Sequence, residues 1–120
     1  MKRKPFEHYA GLYLSGNREW RFSSDEEGIK AAIKGNRDAL ERMVAFYPEE
    51  TKSALLSLMD NQDPWLALGA AKDFAYSFDL TFEVKTKIRQ TIKRCEKCKT
   101  CKGVDRVSLA ILANYVNSKK

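Results

Sequence analysis

Residues 64–78, PWLALGAAKDFAYSF, decide the fold class of this chain. When the segment is placed on a helix, apolar side chains occur on every side of it, and the only charged residues are Lys72 and Asp73. A helix that is apolar all round belongs in the interior of a helical protein. Asp63 can cap this helix, and Pro64 suits its first turn. We therefore predict a central, buried helix near residues 64–78.

Residues that favour helix starts and helix ends divide the chain before this segment. Predicted starts are Pro5, a capping box at Ser24–Glu27, Asn36 and Pro48. Gly16 and Gly35 each follow an apolar helical face and predict a helix end. Residues 20–22 are the one piece expected to be extended. The N-terminal half is therefore predicted to consist of short helices.

Similar signals continue after the central segment. Thr81 can cap a long helix from about Phe82 to about Lys99, and Asp105 can cap a last helix. The last helix has a predicted apolar face of Val107, Leu109, Ala110, Leu112, Ala113 and Val116. No run shows the sustained alternation of a strand. We expect an all-α fold, a compact bundle of five to six helices forming a single domain over residues 1–120.

One stretch resembles a known repeat. Residues 53–80, SALLSLMDNQDPWLALGAAKDFAYSFDL, contain a Leu-rich first helix, an Asp-Pro turn and an Ala-rich second helix. This arrangement resembles a single HEAT-like helical hairpin, which implies a tightly packed antiparallel helix pair of the kind found in protein-interaction scaffolds. The flanking sequence does not repeat the pattern, so a solenoid of stacked units is not expected.

Charge is distributed unevenly along the chain. The net charge is +3 over residues 1–22, −5 over residues 23–80 and +8 over residues 81–120. Residues 81–102 are predicted to form a strongly basic helix. Its apolar stripe consists of Val84, Ile88, Ile92 and Cys95. A neighbouring ridge at four-residue spacing consists of Lys85, Arg89, Lys93 and Lys97.

This basic helix is the candidate for contact with nucleic acid, because each phosphate that it neutralises releases a counterion. Predicted contact residues are Lys85, Lys87, Arg89, Lys93, Arg94, Lys97, Lys99 and Lys102, with Arg18 and Arg21 from the aromatic-rich NREWRF segment. Two other interpretations stay open. The charges can form a solvated face that keeps the protein soluble, or they can dock an acidic protein, including the acidic middle of another copy.

Three cysteines, Cys95, Cys98 and Cys101, alternate with lysines in RCEKCKTCKG. With His8 they would complete a Cys3His zinc site, because structural zinc takes four ligands. Against zinc, Cys95 continues the apolar stripe, so packing explains it without a metal. We expect no cofactor, with zinc as the alternative. Three thiols crowded together suit a reducing compartment, so a cytoplasmic location is expected.

Catalytic and membrane signatures are absent from the sequence. The single histidine has no recognisable nucleophile motif, and no Gly-rich phosphate loop is present. The longest apolar run, residues 64–71, is far shorter than the roughly 18 residues that cross a bilayer. The sequence predicts a non-enzymatic nucleic-acid-binding protein without strong sequence specificity, in a larger ribonucleoprotein or DNA-handling assembly. The alternative is a helical adaptor that binds an acidic protein and no nucleic acid.

Overall fold

A computed structural model describes residues 4–22, 25–97 and 106–118 of the chain. Over these ranges it contains six α-helices and no β-strand, which confirms the predicted all-α class with five to six helices. The helices are α1 (Phe6–Phe22), α2 (Glu26–Phe46), α3 (Pro48–Leu58), α4 (Pro64–Ser77), α5 (Phe82–Lys97) and α6 (Arg106–Ser118). None of the helices in the described ranges has both the length and the apolar composition needed to cross a bilayer.

The chain divides into two compact units, Met1–Thr51 and Lys52–Lys120. The first contains α1, α2 and the first turn of α3. The second contains the remainder of α3 and the helices α4, α5 and α6. Cooperative folding of the two units as one domain stays a prediction.

Helix α1 does not end at Gly16, so that prediction is wrong. The helix continues to Phe22, and residues 20–22 are helical rather than extended. Gly16 is buried against α2: a Cβ atom at this position would lie 2.9 Å from Cβ of Asn36 and 3.0 Å from the carbonyl oxygen of Ala32. The glycine therefore allows two helices to approach closely and does not terminate the first of them.

Helix α2 is continuous from Glu26 to Phe46, so the predicted end at Gly35 and the predicted cap at Asn36 are also wrong. Asn36 instead donates its side-chain Nδ2 to the carbonyl oxygen of Tyr13 in α1, at 2.8 Å. The N-cap of α2 is Asp25, whose carboxylate accepts a 3.2 Å bond from the backbone N–H of Gly28. The predicted capping residue Ser24 lies outside the described residues.

Aromatic side chains close the other end of the first unit. The backbone N–H of Lys4 donates to the hydroxyl of Tyr9 at 2.9 Å, and the hydroxyl of Tyr47 donates to the Lys4 carbonyl at 2.7 Å. The ring of Phe6 packs edge-on against Tyr47, with centroids 5.9 Å apart. These contacts fix the start of α1 beside the end of α2.

Helix α4 supplies the most deeply buried face of the second unit, as predicted. Five of its residues are at most 2% exposed: Ala67, Ala70, Ala71, Phe74 and Ala75. The burial is one-sided, however, since Lys72 and Tyr76 are exposed. Four of these five residues are alanines, which let neighbouring backbones pack closely.

Helices α5 and α6 complete the second unit. The predicted cap of α5 is confirmed, because the hydroxyl of Thr81 accepts a 3.3 Å bond from the N–H of Val84. In α6 the core side chains are Leu109, Leu112 and Val116. Ala110, which was predicted to face the core, is exposed, because it lies about 100° around the helix from Leu109.

Candidate nucleic-acid interface

The orientation of α5 is set by its buried stripe. Ile88, Ile92 and Cys95 are each at most 4% exposed, and the buried Thr91 hydroxyl donates to the Lys87 carbonyl one turn earlier, at 2.9 Å. The predicted stripe is therefore confirmed at these three positions. The basic residues at four-residue spacing lie beside this buried stripe. We call Lys85, Arg89, Lys93 and Lys97 the α5 ridge.

Two of the predicted contact residues of α5 already bind other parts of the second unit. The ammonium group of Lys87 lies 2.8 Å from both carboxylate oxygens of Asp60. Nη2 of Arg94 donates to the carbonyl oxygens of Met59 and Asn61, at 3.0 and 2.9 Å. Both side chains therefore hold the turn that follows α3, and a phosphate would have to compete for them with these bonds.

Arg89 uses one of its hydrogen-bond donors within the second unit. Its Nε donates to the side-chain oxygen of Asn117 at 2.9 Å, which ties α5 to the C-terminal end of α6. A guanidinium has five N–H donors, and this bond occupies only the Nε donor. Arg89 and Lys85 are both half-buried. The side chains of these two ridge residues are therefore less exposed to solvent than those of Lys93 and Lys97.

Lys93 and Lys97 are the most accessible cations of the ridge. Both are exposed, they lie one helical turn apart, and neither forms an ion pair or hydrogen bond with another residue of the described chain. Lys97 is also in the last turn of α5, where a cation is stabilised by the negative end of the helix dipole. Exposed ammonium groups at this spacing are free to meet an anionic partner.

The remaining predicted contact residues are only partly described. Lys99 and Lys102 lie outside the described residues. Arg18 and Arg21 lie on the helical backbone of α1 in the first unit, and their side chains are also outside the described part of the chain. The structure therefore describes α5 as the candidate surface and adds no contacts for these four residues.

Cys95 is a packed core thiol. It is 2% exposed, and its Sγ donates to the carbonyl oxygen of Pro64 at 3.6 Å. Burial raises the pKa of this thiol above its ordinary value, outweighing the nearby charge of Arg94. A zinc ligand must be a thiolate, whereas this environment favours the protonated form. The packing explanation of Cys95 is therefore supported.

Of the other predicted zinc ligands, only His8 lies in the described part of the chain. His8 lies in α1 of the first unit, where it is exposed and its ring packs edge-on against Tyr9 at 5.4 Å. Cys98 and Cys101 lie outside the described residues. Within the described ranges, no group of three or more His, Cys, Asp and Glu side chains could hold a metal ion.

Sequence reasoning missed a partly exposed aromatic pair in the second unit. The rings of Tyr76 and Tyr115 lie with their centroids 4.5 Å apart, and Tyr76 is 49% exposed. Because burial was expected on all sides of α4, Tyr76 was not predicted to lie on the surface. On α6, Tyr115 lies about 200° from Asn117, which contacts the ridge, so the pair occupies the opposite flank of that helix. The aromatic pair is therefore a separate surface and does not extend the ridge.

No protein-family model, curated protein or solved structure matches this chain.

Proposed function

We propose that this chain binds nucleic acid through the α5 ridge, as a non-enzymatic small subunit of a ribonucleoprotein or DNA-handling assembly in the cytoplasm. The observation that carries the proposal is the exposure of Lys93 and Lys97 on successive turns of a helix whose opposite side is buried. Ammonium groups on flexible stems bind phosphates as point charges. The contacts therefore follow the sugar-phosphate backbone without strong sequence preference.

The length of the ridge agrees with a backbone contact. From Lys85 to Lys97 the helix rises about 18 Å, at about 1.5 Å per residue. One strand of a duplex places a phosphate about every 3.4 Å along the axis, so this length faces about five phosphates. Four cations against about five phosphates is a dense electrostatic match.

The expected salt dependence follows from the number of contacts. Four neutralised phosphates give a slope of log K against log salt of about −3.6 on duplex DNA and about −2.8 on a single strand. Between 50 and 200 mM salt, the duplex slope corresponds to a loss of affinity of about 150-fold. Affinity measured at one salt concentration would hide this signature.

The test replaces all four ridge residues, Lys85, Arg89, Lys93 and Lys97, by Gln. Fluorescence anisotropy then measures binding of labelled single-stranded and duplex RNA and DNA across a salt series. We expect the slope to flatten by about 3.6 units on a duplex. The helicity should stay nearly unchanged, because the buried stripe of α5 is kept and the exposed charges of Lys93 and Lys97 contribute little to folding.

A charge-matched control removes four exposed cations elsewhere, by changing Lys30, Lys34, Arg37 and Lys72 to Gln. This control should keep most of the slope if the ridge is the contact surface. Equal losses in both variants would show that net charge alone drives binding. Full binding by the ridge variant would refute the proposed site.

A second candidate function is a helical adaptor that binds an acidic protein without nucleic acid, built on the HEAT-like hairpin of residues 53–80. It is favoured by large apolar side chains that the second unit leaves in solvent: Phe82 is 78% exposed and Ile111 is 55% exposed. Polyglutamate separates the two functions. The adaptor predicts binding of polyglutamate by the ridge at salt concentrations where RNA and DNA of equal charge do not bind.

A further inference from the structure

A groove of about 520 Å³ runs between α1 and α2 in the first unit. Its α1 wall includes His8, Leu12 and Ser15, which are all exposed and lie on one face of that helix. Its α2 wall includes Ala31 and Gly35, which are also exposed. Leu12 exposes 49% of its surface to solvent.

Gly35 opens onto the groove. A Cβ atom there would meet no other atom within 4 Å, whereas a Cβ at Gly16 would collide with α2. Glycine inside a helix costs stability relative to alanine. At Gly16 the close helix approach explains this cost. At Gly35 the missing side chain leaves that part of the groove open.

One end of the groove is basic. Lys4, His8 and Arg42 line it there, and Asp38 is the one acidic residue among the lining residues that the structure describes. The rest of the groove is apolar or small, from Leu12 to Ala39. From Ala31 to Arg42 the α2 wall is about 16 Å long, which equals about three turns of a helix.

We propose that this groove receives an amphipathic α-helix of another protein. The apolar side of that helix packs on Leu12 and enters the space beside Gly35, and acidic residues at one of its ends meet Lys4 and Arg42. Helix-in-groove recognition uses such spaced apolar anchors, and complementary charge fixes the direction of the bound helix. Nucleic acid fits this groove poorly, because the described lining residues from Leu12 to Gly35 offer no cation to a phosphate. The proposal is independent of the α5 ridge.

The test uses a displayed library of helical peptides of about 14 residues, roughly four turns. The library is selected against the full chain, and the selected peptides are then measured by anisotropy. The key variant is Gly35→Gln, which adds a side chain at a position where a Cβ atom meets open space and which favours the helix. The matched control is Gly11→Gln, since Gly11 is also an exposed helical glycine with open space but does not line the groove.

We expect the selected peptides to carry apolar residues at helical spacing and acidic residues at one end. Gly35→Gln should weaken their binding by about tenfold or more, because an apolar anchor loses its site, and Gly11→Gln should change it by less than about twofold. Arg42→Glu should weaken binding and flatten its salt dependence. Circular dichroism should show that each variant keeps its helicity.

Four results would overturn the proposal. They are a failure of the library to yield any helix, equal binding by Gly35→Gln, a dimer in light scattering that Gly35→Gln abolishes, and binding of RNA or DNA that Gly35→Gln abolishes. The third result would assign the groove to a second copy of this chain. The fourth would assign it to nucleic acid.

Discussion

Gly16→Ala gives the sharpest test of the packing in the first unit, because two physical effects of opposite sign compete there. Alanine in a helix interior is favoured over glycine by about 1 kcal/mol. Against this, the new methyl group would lie 2.9 Å from Cβ of Asn36, 3.0 Å from the Ala32 carbonyl oxygen and 3.2 Å from Cα of Asn36. None of these atoms is the end of a flexible side chain, so the helices must move apart.

The magnitude decides in favour of destabilisation. Overpacking of a well-packed contact costs about 1 to 3 kcal/mol. Separation of the helices also weakens the 2.8 Å bond from Asn36 to the Tyr13 carbonyl, which contributes about 1 kcal/mol. After the gain in helix propensity is subtracted, Gly16→Ala should lower the free energy of unfolding by about 1 to 3 kcal/mol.

Urea unfolding followed by circular dichroism measures this difference. With an m-value of about 2 kcal/mol/M, the midpoint should fall by about 0.5 to 1.5 M. Gly11→Ala and Gly35→Ala are matched controls with open space around the new methyl group, and each should raise the free energy of unfolding by about 0.5 to 1 kcal/mol. If Gly16→Ala proved as stabilising as these controls, the close approach of α1 and α2 would be refuted.

Three further predictions concern the second unit. Arg94→Met should lower the free energy of unfolding, measured in urea, by about 1 to 3 kcal/mol, because it leaves two backbone carbonyls without their donor. The exposed control Lys93→Gln should change this free energy by less than about 0.5 kcal/mol. Equal effects of the two substitutions would contradict the conclusion that Arg94 holds the turn after α3 while Lys93 stays available to a partner. Ala70→Glu should cost more than about 3 kcal/mol, because it forces a carboxylate into a position that is 1% exposed, and a normally folded, soluble variant would refute the core assignment. For Cys95, burial raises the pKa in the folded state, so its contribution is complete below the unfolded-state pKa, near 9.0, and declines as pH rises from there toward the folded-state pKa. Wild type should therefore lose stability with pH more steeply than Cys95→Ala in this alkaline window, by up to about 1.4 kcal/mol per pH unit, and parallel curves would contradict the buried thiol.

The sequence by itself determined the helical class and much of the second unit. Proline at position 48, the Thr81 cap and the apolar stripe through Ile88 and Ile92 were all predicted correctly. These features depend on residues within one or two turns of each other, because caps and helical faces are set by local backbone geometry. The basic ridge was likewise placed on its correct helix, since four-residue spacing alone puts its members on one face.

Only the tertiary structure decided what the glycines and the individual cations do. Gly16 and Gly35 have the same local signal, yet one lies against a neighbouring helix and the other faces an open groove. Lys87 and Arg94 look equivalent to Lys93 in the sequence, but they bind groups that lie 27 to 35 residues earlier in the chain. Contacts over such distances depend on how helices pack, and no local propensity specifies which of several neighbouring cations will meet an acidic or carbonyl partner.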